Sequence, residues 1–415
     1  MTEHRTDVNA AAERILNRCE AIAACTEIPG EITRRYGSPA LAAAMDRVAG
    51  WMADAGLVTR RDAIGNLIGH YDPDGMCGPA LVIGSHLDSV PNGGRYDGPL
   101  GVLLGIEVLD RLAPDGVRLP FPVEVVAFAD EEGARFHTTY LGSRAYAGTF
   151  DPHLLARTDA DGVSLADACA AYGGDPGVLA APGSRPALLG YVEAHIEQGP
   201  MLEALDAPLA VVTAISGQSR IAVRIVGEAG HAGTVAMLLR KDALAAAAEL
   251  VLAAERIARA TPGLLATVGQ LMVAPGASNV VPGDVRLTID VRSPDDALRQ
   301  SAVATLRDEL AARCAARGLA HDWEIVQENA AVPMDGDLSA RLARAVGKCG
   351  LPVHRLPSGA GHDAVVMAGV CPVAMLFVRC AGGISHHPAE RVSAGDVSAT
   401  LSVLREFVNT VYRAA

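Results

Sequence analysis

Apolar and polar positions along this chain follow two periods, and the places where one gives way to the other divide it into elements. Residues 8–57 carry apolar positions at helical spacing, punctuated by Pro29-Gly30, and predict helices on either side of that turn. Residues 80–85 (ALVIGS) and 122–129 (PVEVVAFA) are short apolar runs typical of buried strands, and GVLLGIEVLDRL at 101–112 between them has the helical period. Strand, helix and strand in that order predict a βαβ unit and a largely parallel sheet. Such sheets hold their ligands at the carboxyl ends of their strands.

The pattern changes over 214–329. A strand (RIAVRIVG), a long helix (237–259), two strands (265–273 and 279–292), a helix (295–317) and a strand (321–328) give the order βαββαβ of a ferredoxin-like unit. We therefore expect an α/β protein with a discontinuous α/β domain (1–213 and 330–415) and an inserted second domain (214–329). A strand at 372–380 and a helix at 394–413 resume the first domain.

Composition narrows the function. With 35 Lys and Arg against 48 Asp and Glu, the formal charge of −13 argues against nucleic acid, whose phosphates need clustered cations. No apolar run is long enough to span a membrane, because Glu249, Glu255 and Arg256 break the Ala-rich segment. The N-terminus has no continuous apolar stretch or small-residue cleavage site, so a cytoplasmic protein is expected. Eight scattered Cys without a C-x-x-C pair read as reduced core residues.

The chemistry sits in loops that follow strands. GSHLDSVPNGGRYDGPLG places His86 after a buried strand, with Asp88 on the same side of the chain and Asp97 further along a Gly-rich loop. Asp88 is thereby suited to orient the His86 imidazole from behind. In FADEEGARF, Glu131 and Glu132 end the next strand facing opposite ways, so one can ligate a metal while the other acts as a base. A decorated turn and a solvated acidic turn are the bland alternatives, but VVAFA and Phe136 flank the acidic run with apolar residues. His195 and His386 each follow further apolar runs. Together His86, Asp97, Glu132, His195 and His386 supply enough donors for two metals if Asp97 bridges. Nitrogen and oxygen donors without thiolate suit Zn²⁺ first, with Mn²⁺, Co²⁺ or Ni²⁺ as alternatives.

GSHLDSVPNGGRYDGPLG, FADEEGARF, HIEQGP, GHAGTVAMLLRKDAL, GASNVVPGDVRLTIDVR, SGAGHDA and GISHHPAE, in that order, resemble the motifs of M20-type metallopeptidase-like amidohydrolases. The resemblance covers about residues 10–412, and is strongest to the N-carbamoyl-L-amino acid hydrolase, allantoate amidohydrolase and β-ureidopropionase branch. It implies a di-metal catalytic domain and an inserted lid that forms a homodimer interface. By motif, His86, Asp97, Glu132, His195 and His386 would ligate the metals, Glu131 would be the general base, and Gln198 would lie close by. Arg220, Asn279 and Arg292 would hold the carboxylate and ureido group of a small anionic ureido acid. His231 would reach the active site from the partner subunit and stabilise the oxyanion. Gly361 and His362 fall in a stretch that lines the substrate pocket.

The chain departs from the family in three places: Ala236 stands for the usual Pro, His387 for Asn or Ser, and ERVSAGD for a more acidic and aromatic stretch. Gly359–Ala364 also satisfies the loose G-x-G-x-x-A dinucleotide pattern, but no acidic residue follows at the ribose position near Cys380. The runner-up activities within the superfamily are an N-acyl-amino acid deacylase or a dipeptidase. A serine hydrolase is disfavoured because G-x-S-x-G is absent.

Overall fold

Side-chain caps set where the long helices begin. In this computed structural model, which describes residues 2–411 except 73, 77, 113–116, 182, 184 and 185, Ser38, Asp242, Asp295 and Ser393 each accept amide hydrogens of a first turn. Two units result: 1–213 with 334–356 and 361–415, and 214–333 with 357–360.

The larger unit begins with α1 (Thr2–Ala23) and α2 (Pro39–Asp54). Strands β1 (Val58–Arg61), β2 (Leu67–Tyr71) and β3 (Ala80–His86) follow, then α3 (Pro99–Asp110), β4 (Val123–Phe128), β5 (Leu188–Ile196) and β6 (Leu209–Ile215). Four strands at the centre of the sheet, β4, β3, β5 and one contributed by Val373–Val378, are parallel, while β1, β2 and β6 pair antiparallel at the edges. Every residue of β3 is buried, as expected of a strand covered on both faces. The covering helix α3 is buried on nearly all sides, including Leu100, Leu103 and Leu104, each worth about 2 kcal/mol. Its one buried charge, Glu107, is paired by Arg14 and by Arg18 at 3.8 Å.

The smaller unit comprises β7 (Gly217–Val226), α4 (Ala243–Ala260), β8 (Leu265–Ala274), β9 (Asp284–Ser293), α5 (Asp296–Arg317) and β10 (Ala320–Asn329). Its four strands run antiparallel in the order β10-β7-β9-β8, and Ile221, Val223, Ile225, Leu250, Leu287 and Leu306 fill the layer beneath the two helices. Two boundaries differ from the periodicity. Helix α4 starts at Ala243 rather than 237, because the Asp242 carboxylate captures the amides of Leu244 and Ala245. The strand expected over 279–292 is divided at Pro282, which has no N–H; Val280–Val281 pair instead with Gly230–His231. Back in the larger unit, α6 (Gly336–Lys348), β11 (Val373–Val378) and α7 (Ala394–Thr410) complete the fold; positions 412 and 413 of the expected last helix lie outside the described residues.

Among the described residues no helix is long and apolar enough to cross a membrane. Cys77 lies outside the described residues, and the other cysteines are free thiols, buried except for half-buried Cys349.

A candidate metal centre at the strand ends

The parallel strands place their carboxyl ends side by side: His86 closes β3 opposite Phe128 of β4, and His195 of β5 lies opposite Phe377 of β11. Asp88 organises the first two strand ends. Its Oδ1 lies 3.3 Å from His86 Nδ1 and accepts the Glu131 amide at 3.0 Å, while Oδ2 accepts the Glu132 amide at 3.1 Å. The loop bearing Asp97 is shaped by its glycines. At Gly98, with φ +85°, a Cβ would sit 2.6 Å from the His86 ring, and at Gly94 one would meet the Glu390 carboxylate at 2.1 Å.

Asp97 is where the imidazoles converge. His195 Nε2 lies 3.1 Å and His86 Nε2 3.8 Å from its Oδ1, and His386 Nε2 lies 3.1 Å from its Oδ2. His386 Nε2 is also 3.4 Å from Glu132 Oε1. The opposite nitrogen of His195 is committed, since Nδ1 faces the Ile196 carbonyl at 3.0 Å and a carbonyl only accepts. A neutral ring so held turns its Nε2 lone pair toward a carboxylate oxygen, an arrangement that needs an imidazolium or a cation between them. Two donor groups, His86–Asp97–His195 and Asp97–Glu132–His386, each bring their ligand atoms within 4.8 Å of one another and share Asp97. These nitrogen and carboxylate donors fit divalent metal binding.

Burial and mutual repulsion unbalance the carboxyls. Burial, then Glu132, pushes Glu131 well above the usual carboxylate range; burial and Asp97 raise Glu132 to about 7. Burial acts on Asp97 too, but hydrogen bonds with His195 and His386 outweigh it and hold Asp97 well below its ordinary value. Asp97 in turn raises His386 to about 9. A carboxyl raised on folding loses stability as pH climbs from its unfolded toward its folded value, and a raised imidazole loses it as pH climbs through the folded value. Glu132 and His386 therefore act in the same direction between about pH 4.5 and pH 9. Bound divalent cations would replace those protons. The melting temperature of chelator-treated protein should accordingly fall further below that of metal-loaded protein as pH rises from about 5 to 9. Thermal scans showing a constant gap would contradict this.

The sequence profile of peptidase family M20/M25/M40 matches residues 82–410. The chain belongs to this family. It is 42% identical over 414 residues to a probable allantoate deiminase of Oryza sativa subsp. japonica, covering 92% of this chain and 84% of that one. It is also 42% identical over 379 residues to the N-carbamoyl-L-amino acid amidohydrolase of Geobacillus stearothermophilus, covering 90% and 92%. Among solved structures, a hydantoinase/carbamoylase family amidase from Burkholderia multivorans superposes with a TM-score of 0.89 at 34% identity, over 96% of this chain and 97% of that one.

The remaining candidates of this M20-family chain fall into two sets. In the larger unit, Gln198 Nε2 donates to Asp97 Oδ2 at 3.2 Å and to Ser385 Oγ at 3.0 Å. His362 is buried with its ring 4.5 Å from that of His195, and a Cβ on Gly361 would lie 1.9 Å from the Tyr140 hydroxyl. The helix after His362 is only Ala364–Met367, too short for the dinucleotide pattern noted in the sequence. In the smaller unit, Arg220 and Arg292 flank Asp290, with Nε atoms 3.1 Å and 2.8 Å from its oxygens. The main-chain carbonyl of Asn279 accepts the Ala232 amide, next to exposed His231. His231 Nδ1 accepts the Gly233 amide at 3.1 Å, so the neutral ring carries its proton on Nε2 and presents a donor.

Two departures from the family pattern have local explanations. Ala236 adopts φ −60° and ψ 144°, the φ a proline ring would impose. His387 Nδ1 accepts the Ala389 amide at 3.1 Å, a bond that an Asn or Ser oxygen also makes. Two buried carboxylates escaped the sequence reading. Glu193 accepts from Ser85 Oγ and the Ala364 amide, and its place two residues before His195 in a covered strand was a readable signal. Glu390 accepts the Tyr96 and Asp97 amides at 2.7 and 3.1 Å, behind the Asp97 loop, and no periodicity marks it.

Proposed function

We propose that this chain is a cytoplasmic, homodimeric, metal-dependent amidohydrolase that cleaves the ureido C–N bond of allantoate or an N-carbamoyl-L-amino acid, releasing ammonia and CO₂. The observation that carries this reading is the donor set around Asp97, with Glu131 beside it, in a chain so similar to ureido-acid hydrolases over most of its length. His86, Asp97 and His195 would hold one Zn²⁺, and Asp97, Glu132 and His386 a second; Mn²⁺, Co²⁺ and Ni²⁺ suit the same donors. When bound, such cations supply Lewis acidity toward a carbonyl and toward water.

The protein groups do the rest. Asp88 keeps His86 and the Glu131–Glu132 turn in register through the contacts described above. Glu131 accepts a proton from the attacking water and returns it to the leaving nitrogen, a task suited to a carboxyl with a raised pKa. His231, with Nε2–H as its donor, stabilises the developing oxyanion and is supplied by the partner subunit. The exposed Met237, Leu238 and Leu239 that follow it favour a protein neighbour at this loop. Arg220, Arg292 and Asn279 bind the carboxylate and ureido group, with Gln198, Gly361 and His362 lining the pocket.

Guanidinium matches carboxylate through paired, charge-assisted bonds. Arg292→Ala should therefore raise KM for ureido acids by roughly 10- to 100-fold; an unchanged KM in steady-state assays would move the carboxylate site elsewhere. The reading as a whole is tested by a panel: ammonia release from allantoate, N-carbamoyl-L-methionine and N-carbamoyl-β-alanine, against amine release from N-acetyl-amino acids and dipeptides. Turnover of allantoate or the L-α-carbamoyl substrate should dominate. Preferred cleavage of the amides would make the chain a deacylase or dipeptidase.

A further inference from the structure

The chain between α1 and α2 contains an irregular stretch that runs beside the loop bearing Asp88 and Asp97. Gly93 N–H donates to Ile32 O at 2.8 Å, and Asn92 N–H to Thr33 Oγ1 at 2.9 Å. Arg34 and Ser89 exchange two bonds: Ser89 N–H to Arg34 O, and Arg34 N–H to Ser89 Oγ, both at 3.0 Å. From this strap the Arg34 side chain turns inward and is 0% exposed. Its Nε donates to the Leu87 carbonyl at 3.0 Å and its Nη1 to the Ile22 carbonyl at 3.4 Å. Among the described residues Nη2 has no hydrogen-bond partner and no carboxylate forms an ion pair with the guanidinium.

A buried guanidinium held only by carbonyls is costly, and a strap whose sole task was packing would be served by an apolar side chain. What distinguishes Arg34 is where it grips. Leu87 and Ser89 are the two neighbours of Asp88, the carboxylate that faces His86 and accepts both amides of the Glu131–Glu132 turn. Burial lowers the pKa of the guanidinium, and Asp88 leads the charges that oppose this.

We infer that the Arg34 side chain positions the metal centre: with the backbone of Arg34 already bonded to Ser89, its guanidinium on the Leu87 carbonyl fixes the other side of Asp88, and through Asp88 the orientation of His86 and of the Glu131–Glu132 turn. The inference rests on the metal centre proposed above. It does not depend on which substrate the centre hydrolyses.

The test compares wild type, Arg34→Met and Arg34→Lys in melting temperature, Zn²⁺ affinity by competition with a chromophoric chelator, and kcat and KM for the best ureido substrate. Loss of a group that orients a ligand from behind lowers metal affinity or activity by about 10- to 100-fold. Both variants should lose at least fivefold in Zn²⁺ affinity, with kcat falling and KM within about threefold of wild type. If Arg34 only braces the fold, the melting temperature drops while Zn²⁺ affinity stays within fivefold, and the inference is overturned. Should Arg34→Met fail to fold, the same fivefold criterion applied to Arg34→Lys decides.

Asp88→Asn supplies a second check. Because Arg34 acts through Asp88, adding Arg34→Lys to Asp88→Asn should weaken Zn²⁺ binding no further, and additive losses would overturn the inference. A wild type that binds Zn²⁺ but releases no ammonia rejects the substrate reading alone, since the affinity comparison still judges Arg34.

Discussion

Glu131→Gln should retain the bound metal and lose most turnover, by roughly 10²- to 10⁴-fold in kcat. The glutamine has nearly the same shape and can keep the backbone in place, because the bond that fixes this turn is the Glu131 amide to Asp88 and not the side chain. What disappears is the ability to accept a proton. Glu131 is suited to that role by its surroundings: it is buried, and burial together with neighbouring Glu132 raises its pKa well above the carboxylate range. Once a divalent cation is present its positive charge draws that value back down, toward the range in which a carboxylate can both take and return a proton. Ammonia release measured beside metal content separates the two roles. Turnover within tenfold of wild type would show that another group is the base, and loss of metal would show that Glu131 is a ligand.

Asp97→Asn should be as damaging for a different reason. Three imidazole nitrogens, from His86, His195 and His386, face the two oxygens of this carboxylate, and both donor groups require it. The amide keeps the volume but removes the only formal negative charge common to both groups, and one of its two atoms becomes a donor directed at nitrogen lone pairs. We expect the variant to bind fewer than two cations per chain and to lose at least about 10³-fold in kcat, since metal-assisted activation of water and carbonyl goes with the ions. Elemental analysis and ammonia release check this together. A variant that holds two cations and turns over normally would contradict the sharing of Asp97.

Much of the candidate site was legible in the sequence because strand ends and Gly-rich loops leave strong marks there. His86, Glu131 and Glu132 stand at the ends of short apolar runs and His195 at the end of LLGYVEA, and the antiparallel unit announced itself through alternation in RIAVRIVG and DVRLTIDVR. What periodicity missed is of two kinds. Local chemistry moved element ends: Asp242 delays α4 and Pro282 divides a strand, so side chains and a missing N–H overrode propensity. Long-range support was invisible, because Glu390 and Arg34 act on loops far away in the chain and their neighbours in sequence give no hint of it. Arg34 sits in an irregular stretch where an arginine would ordinarily be read as a solvated surface charge.

The measurement that bears most directly on the account is a metal titration of the chelator-treated protein, following ammonia release from allantoate or N-carbamoyl-L-methionine against equivalents of Zn²⁺ per chain. Shared coordination by Asp97 predicts negligible activity without metal and full activity as the second equivalent fills. Full activity in the chelated protein, or saturation at a single equivalent, would contradict it.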